Sequence, residues 1–198
     1  MENTRLLQFL RTFSAAELRE LKKFVRSPYF NQRSEVVALL DWLEKPLKTA
    51  KPVADKQEAF RAVFGAKDFD DHRIRMATSF LFQAARQFLM VNDFLGDTAS
   101  NQLRLAQLLR RRKLADMARQ QQHSAAKELQ QQKSRNADYQ EQQYQFLLEQ
   151  YRSEMEQPSD AALPLQELSD QLDRSYLSRK LWQSCFMLSH QTVYNSQY

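Results

Sequence analysis

Two glycines in 198 residues, Gly65 and Gly96, restrict what this chain can become more than any other feature. Tight β-hairpin turns and phosphate-cradling loops need backbone at positive φ, which glycine reaches at the least steric cost. A chain so poor in glycine, and rich in Leu, Ala, Gln, Glu, Lys and Arg, favours helices joined by polar caps. The expected fold is all-α: an N-terminal helical bundle over residues 1–96, then antiparallel helical hairpins over 97–198 forming a short repeat-like array. Charged residues make up 27% and hydrophobic ones 42%, which suits amphipathic helices with one wet face rather than a disordered chain.

Start and stop signals divide the first half. Ser14-Ala-Ala-Glu17 reads as a capping box, and Asp55-Lys-Gln-Glu58 as the variant with Asp as cap. The helix after Ser14 sets Leu18, Leu21 and Val25 on one stripe and stops at Ser27-Pro28, where the proline pushes its predecessor out of the α region. A third helix is expected from about Arg33 to Lys45, with Val36, Val37, Leu40 and Leu43 inward and Pro46 and Pro52 bounding a linker from Lys45 to Ala54. The helix after Asp55 carries Phe60, Val63 and Phe64 and ends at Gly65. The longest clean period follows: Ile74, Ala77, Leu81, Ala84, Phe88, Val91 and Leu95, closed by Gly96.

Beyond Gly96 the apolar stripes thin, and helices are expected near 100–112, 114–133 and 136–156, with Gln runs at 120–122 and 130–132 making exposed faces. After Pro158 and Pro164 a last helix carries Leu165, Leu168, Leu172, Tyr176, Leu177, Leu181, Cys185 and Leu188, positions expected to bury against neighbouring helices. Charge is segregated here: residues 100–135 hold nine basic and two acidic side chains, residues 136–173 one basic and nine acidic. An antiparallel arrangement would use that opposition to fix partner and register, and this reading is preferred to an external anionic partner.

No stretch approaches the roughly 18 apolar residues of a membrane span, and the apolar part of residues 1–13 is too short for a signal-peptide core. With Cys185 as the single cysteine, no intrachain disulfide is possible, and a cytoplasmic setting is expected. His72, His123 and His190 are scattered, with no H-E-x-x-H or C-x-x-C element, so no metal, cofactor or catalytic residue is expected. Asp70-Asp71-His72 is explained by the negative charge a helix start favours, rather than by acid–base chemistry.

The sharpest local feature is Arg110-Arg111-Arg112-Lys113. It could face phosphates, or it could complement the C-terminal dipole of its helix; the second use is preferred. Arg73 and Arg75, at the start of the long helix, are the other candidate nucleic-acid contacts, as in a helix-turn-helix variant. Against this, Asp68, Asp70 and Asp71 would face the same phosphates, no glycine-bearing wing follows, and the long apolar stripe marks that helix as a core strut.

The segment from Phe13 to Asn31 (F-x-x-x-E-L-x-x-L-K-K-F-x-x-S-P-Y-F-N) resembles the N-terminal signature of a family of all-helical proteins from environmental bacteria. The helix from Asp70 to Leu95 and the tail from Tyr176 to Cys185 look like its later landmarks, and the second half is loosely similar to tetratricopeptide-type hairpins without their consensus. That resemblance carries no activity and gives no residue a role. It implies that members continue past this point; with residues 193–198 carrying no stop signal after a strongly apolar helix, the expectation is that the chain is the N-terminal part of a longer protein or that its last helix docks on another copy. The expected function is a non-enzymatic scaffold or adaptor binding another protein or a second copy of itself, and no membrane; the alternative is a DNA- or RNA-binding regulator.

Overall fold

The computed structural model describes residues 4–49, 55–65, 68–156 and 165–194, and every element within them is helical. The chain divides into two compact units, Met1–Phe94 and Leu95–Tyr198.

The first unit is a bundle of α1 (Arg5–Leu10), α2 (Ala15–Arg26), α3 (Ser34–Thr49), α4 (Lys56–Phe64) and α5 (Asp71–Gly96). Helix α1, in a segment whose sequence shows no helix signal beyond a short apolar stretch, buries Leu6, Leu7 and Leu10. Ser14 caps α2 as expected: its hydroxyl accepts from the Glu17 amide at 3.2 Å, and the Glu17 carboxylate accepts from the Ser14 amide at 2.7 Å. The Ser14 backbone amide, helped by the Ser14 hydroxyl, holds the Glu17 carboxyl below its ordinary pKa. Asp55 also caps, but it accepts from Lys56 at 2.6 Å rather than completing a box with Glu58. Gly65 closes α4 in the left-handed region at φ 62°.

Pro46 does not end α3. The helix runs on to Thr49, Leu47 packs against the core, and the Thr49 hydroxyl donates to the Lys45 carbonyl at 2.9 Å. Packing of the half-buried Leu47 and that side-chain bond offset part of the roughly 3 kcal/mol a proline costs inside a helix. Of the expected linker, residues 50–54 lie outside the described residues.

Helix α5 is the strut of this bundle. Its buried stripe of Ile74, Ala77, Leu81, Ala84, Ala85 and Phe88 meets α1–α4. Phe88 lies 5.7 Å from Phe24 and 6.0 Å from Phe13, and Phe9 meets Phe82 edge-on at 5.5 Å. The inward stripe stops there, because Val91 is half-buried and Leu95 is 66% exposed. A sequence period lasts as long as the helix; burial lasts only as far as its neighbours reach.

The S-P-Y-F-N segment is an ordered turn between α2 and α3. The Asn31 side-chain amide donates to the Val25 and Arg33 carbonyls at 2.9 and 3.1 Å, and its oxygen accepts from the Arg33 amide at 3.1 Å. The Phe30 ring stacks on Phe24 at 4.0 Å, fixing the exit from α2. Asn31→Ala removes those bonds from a largely exposed turn, where only the one to Val25 is part-buried, and should cost about 1 kcal/mol, read as a lower urea midpoint; an unchanged midpoint would mean water replaces the side chain freely.

The second unit holds α6 (Thr98–Arg111), α7 (Ala115–Gln131), α8 (Ala137–Glu156) and α9 (Leu165–Tyr194). Helices α6 and α7 form one hairpin. Gln142 of α8 bonds to Asp97 and Ser100 at the start of α6, and Glu149 and Glu156 reach Arg110 at its end, so α6 and α8 run parallel. Helix α9 returns antiparallel along α8, with Gln171 on Gln140, Ser175 on Glu141 and Arg179 on Asp138. The apolar core is small, built on Ala99, Leu103, Ala125, Leu129 and Phe146. Polar side chains share the interior: Gln122, Glu149, Gln171 and Ser175 are buried. The glutamine runs are therefore not simply wet faces, since Gln122 is buried and the half-buried Gln132 bonds Gln142 at 2.9 Å.

Among the described residues no helix is long and apolar enough to cross a membrane.

Candidate functional site

The basic run at 110–113 closes α6, and of its four side chains only Arg110 is drawn into the second unit. The Lys113 amide donates to the Arg110 carbonyl at 2.8 Å and the Leu114 amide to the Leu109 carbonyl at 3.0 Å, with Lys113 at φ 63°. That is a Schellman closure with lysine where glycine is usual. Arg110 turns inward: its Nε donates to Glu149 Oε1 at 2.7 Å, its Nη2 to Glu149 Oε2 at 3.3 Å, and its Nη1 to Glu156. This bidentate pairing lifts the guanidinium pKa further above its ordinary value. Lys113 Nζ stands 3.9 Å from Glu156. The charge opposition between the two segments is thus used internally at this end of α6 and α8. Arg111 and Arg112 are exposed, and neither pairs with an acidic side chain among the described residues.

The two arginines of α5 are likewise engaged. Arg73 lies over the Phe64 ring at 4.3 Å and the Phe60 ring at 5.9 Å. Arg75 pairs with Asp71 at 2.9 Å. Asp70 accepts from the amides of His72 and Arg73 at 2.9 and 3.1 Å, and Asp71 also holds Lys56 at 3.2 Å. The acidic pair is spent on capping and on pinning α4 to α5. Of the six candidate anion contacts, Arg73, Arg75, Arg110 and Lys113 each have partners within their own unit.

Two adjoining clefts of about 470 and 530 Å³ open on the first unit, sharing Arg33 and Phe80. The Arg33 guanidinium lies 3.8 Å above the Phe80 ring and forms the wall between them. Tyr29 and Asn31 line one side, His72 and Arg73 the other. Cations stacked on rings and a capping amide suit binding; Arg33 is further occupied by Glu35 at 3.4 Å. The sequence reading missed this groove, which forms only when the 27–33 turn meets α5, about 50 residues away.

The larger departure is α9. The leucines and aromatics expected to face inward lie outward: Leu165, Leu172, Tyr176, Leu177, Leu181 and Leu188 are exposed, as is Cys185. Contact with α8 runs instead through polar groups. Gln171 donates to the Gln140 carbonyl at 3.0 Å, and the Ser175 hydroxyl donates to Glu141 at 2.8 Å. Bonds from Gln145 and Ser175, opposed by burial and aided by Arg179, hold the Glu141 carboxyl below its ordinary pKa. Helical periodicity marks which residues share a face; it does not say which face a polar neighbour will take.

Among the described residues, no group of three His, Cys, Asp or Glu side chains gathers as a metal site would require. Compared with family models, with curated proteins and with solved structures, the chain matches none.

Proposed function

We propose that this chain is a non-enzymatic scaffold or adaptor, whose helical surfaces hold another protein or a second copy of itself. The observation that carries this reading is α9, which turns polar side chains to its own unit and large apolar ones to solvent. Trp182 is 70%, Phe186 62% and Val193 69% exposed. Contiguous exposed apolar surface of this extent marks interaction sites in soluble proteins, and helical hairpins bind along such faces without any signature residue. The same reading sets the protein in the cytoplasm, in keeping with its lone cysteine.

A photo-crosslinking residue at position 186, compared with one at the exposed Gln120, tests it. The scaffold reading expects discrete protein adducts from 186 and none from 120; the same diffuse background from both would overturn it. Nucleic-acid binding is the second reading, favoured by one observation, the exposed Arg111 and Arg112. Two phosphate contacts would give a log–log salt slope near about −2 on duplex DNA. Saturable binding with that slope, abolished by R111A/R112A, would move the assignment to nucleic acid; no binding at low salt leaves the scaffold.

A further inference from the structure

We propose that the end of α9 pairs with the α9 of a second copy, antiparallel about a two-fold axis between Met187 and Leu188. This rests on the scaffold reading for α9 as the interaction surface and commits that surface to one occupant, a second copy, in a stated face and register.

One stripe of α9, in steps of three and four residues, is used in two ways. In its first half Gln171, Ser175 and Ser178 are buried or half-buried along α8. The cross-helix ties reach as far as Arg179, which meets Asp138 and Glu141 of the first turns of α8. The same stripe then continues through Trp182, Phe186, Ser189 and Val193, all exposed. Its small polar side chains lie where a neighbour covers it, and its large apolar ones where α8 has ended. A face meant for water would be built the other way round.

Three features favour a copy of this helix as the occupant. The first is size matching. A two-fold axis between Met187 and Leu188 sets Trp182 opposite Val193 and Phe186 opposite Ser189, a large residue against a smaller one each time. An isologous pairing needs that self-complementarity. The second is charge. Residues 181–194 contain no Asp, Glu, Lys or Arg, whereas residues 165–180 contain three acidic and three basic side chains. The projecting part can therefore meet itself without like-charge repulsion. The third is area. Trp182, Phe186 and Val193 are 70%, 62% and 69% exposed and together offer on the order of 450–500 Å² per chain, so two copies would bury roughly 900–1,000 Å², the size of a weak, concentration-dependent interface.

Pairing also supplies what the extension lacks by itself. Residues 181–194 span about four turns, and an isolated helix of that length is marginal in water.

Sedimentation of the full chain should give a concentration-dependent dimer. W182S/F186S should shift the dissociation constant at least tenfold toward monomer, losing no more helix than residues 181–194 contribute. L177S/L188S removes a similar apolar load from the opposite flank of α9 and should leave the dimer intact. A nitroxide on the exposed Cys185, the only cysteine, should report an inter-chain distance on the order of 20 Å, from helix axes 8–10 Å apart and an offset of five residues along the helix. A monomer at every concentration, loss of the dimer in L177S/L188S but not in W182S/F186S, or labels beyond about 40 Å would each overturn the pairing. A monomer whose position-186 probe still captures a different protein sinks the pairing alone and leaves the scaffold reading standing. A dimer abolished by W182S/F186S, with no adduct to any other protein, supports the pairing and confines the scaffold reading to self-assembly.

Discussion

Glu149→Ala is expected to destabilise the second unit by about 3–5 kcal/mol, a large part of the 5–15 kcal/mol that holds a typical domain together. Glu149 is fully buried, and both its oxygens accept from Arg110. Removing it leaves a guanidinium that is itself only 14% exposed with Glu156, at the rim, as its remaining carboxylate. Most of the loss comes from that stranded charge, not from the attraction given up. The double variant R110M/E149L removes both desolvation costs together and should return to within about 1 kcal/mol of the parent. Urea unfolding of parent, single and double variants, with hydrogen exchange on α6 and α8, reads both effects. A single variant as stable as the parent would show that solvent reaches the pair readily.

Phe60→Ala should cost the first unit about 3–5 kcal/mol. Phe60 is buried where α4 meets α5, with Phe64 at 4.9 Å and Phe69 at 5.5 Å. Deleting the ring opens a cavity and also removes part of the aromatic surface under Arg73. Phe60→Leu keeps most of the volume and is expected to lose no more than about 1.5 kcal/mol. The contrast between the two variants in urea midpoint separates packing from a general intolerance of substitution at this site. Because Phe64 and Arg73 line the Arg33–Phe80 clefts, F60A should also loosen that groove, visible as faster amide exchange at the start of α5.

What could be read beforehand follows from local physics. Scarcity of glycine, apolar steps of three and four, Ser14 with Glu17 and Gly65 after Phe64 act within a few residues of one another, so they place helices and most of their ends. The stripe from Ile74 to Phe88 was legible for the same reason. Pro46 was misread because the turn after it packs Leu47 against the core, a tertiary contact that a local rule does not contain. The opposed charges of residues 100–173 foretold an internal pairing, but the antiparallel arrangement expected of it was wrong: the ion pairs join α6 to the parallel α8, and Arg110 alone among its run is drawn to a fully buried Glu149.

The candidate surfaces were less legible, and the cause is distance along the chain. The Arg33–Phe80 groove needs a turn and a helix brought together from about 50 residues apart, and no spacing rule connects them. For α9, periodicity identified the helix and its apolar residues but assigned them to an interior. Orientation was decided by Gln140, Glu141 and Asp138 on α8, which engage Gln171, Ser175 and Arg179 and so roll the leucines and aromatics outward. By itself the sequence determined that this chain is helical, because helix formation is settled by neighbours within a turn or two. Which side of each helix meets water was decided by the tertiary structure, because burial depends on partners that local sequence does not name.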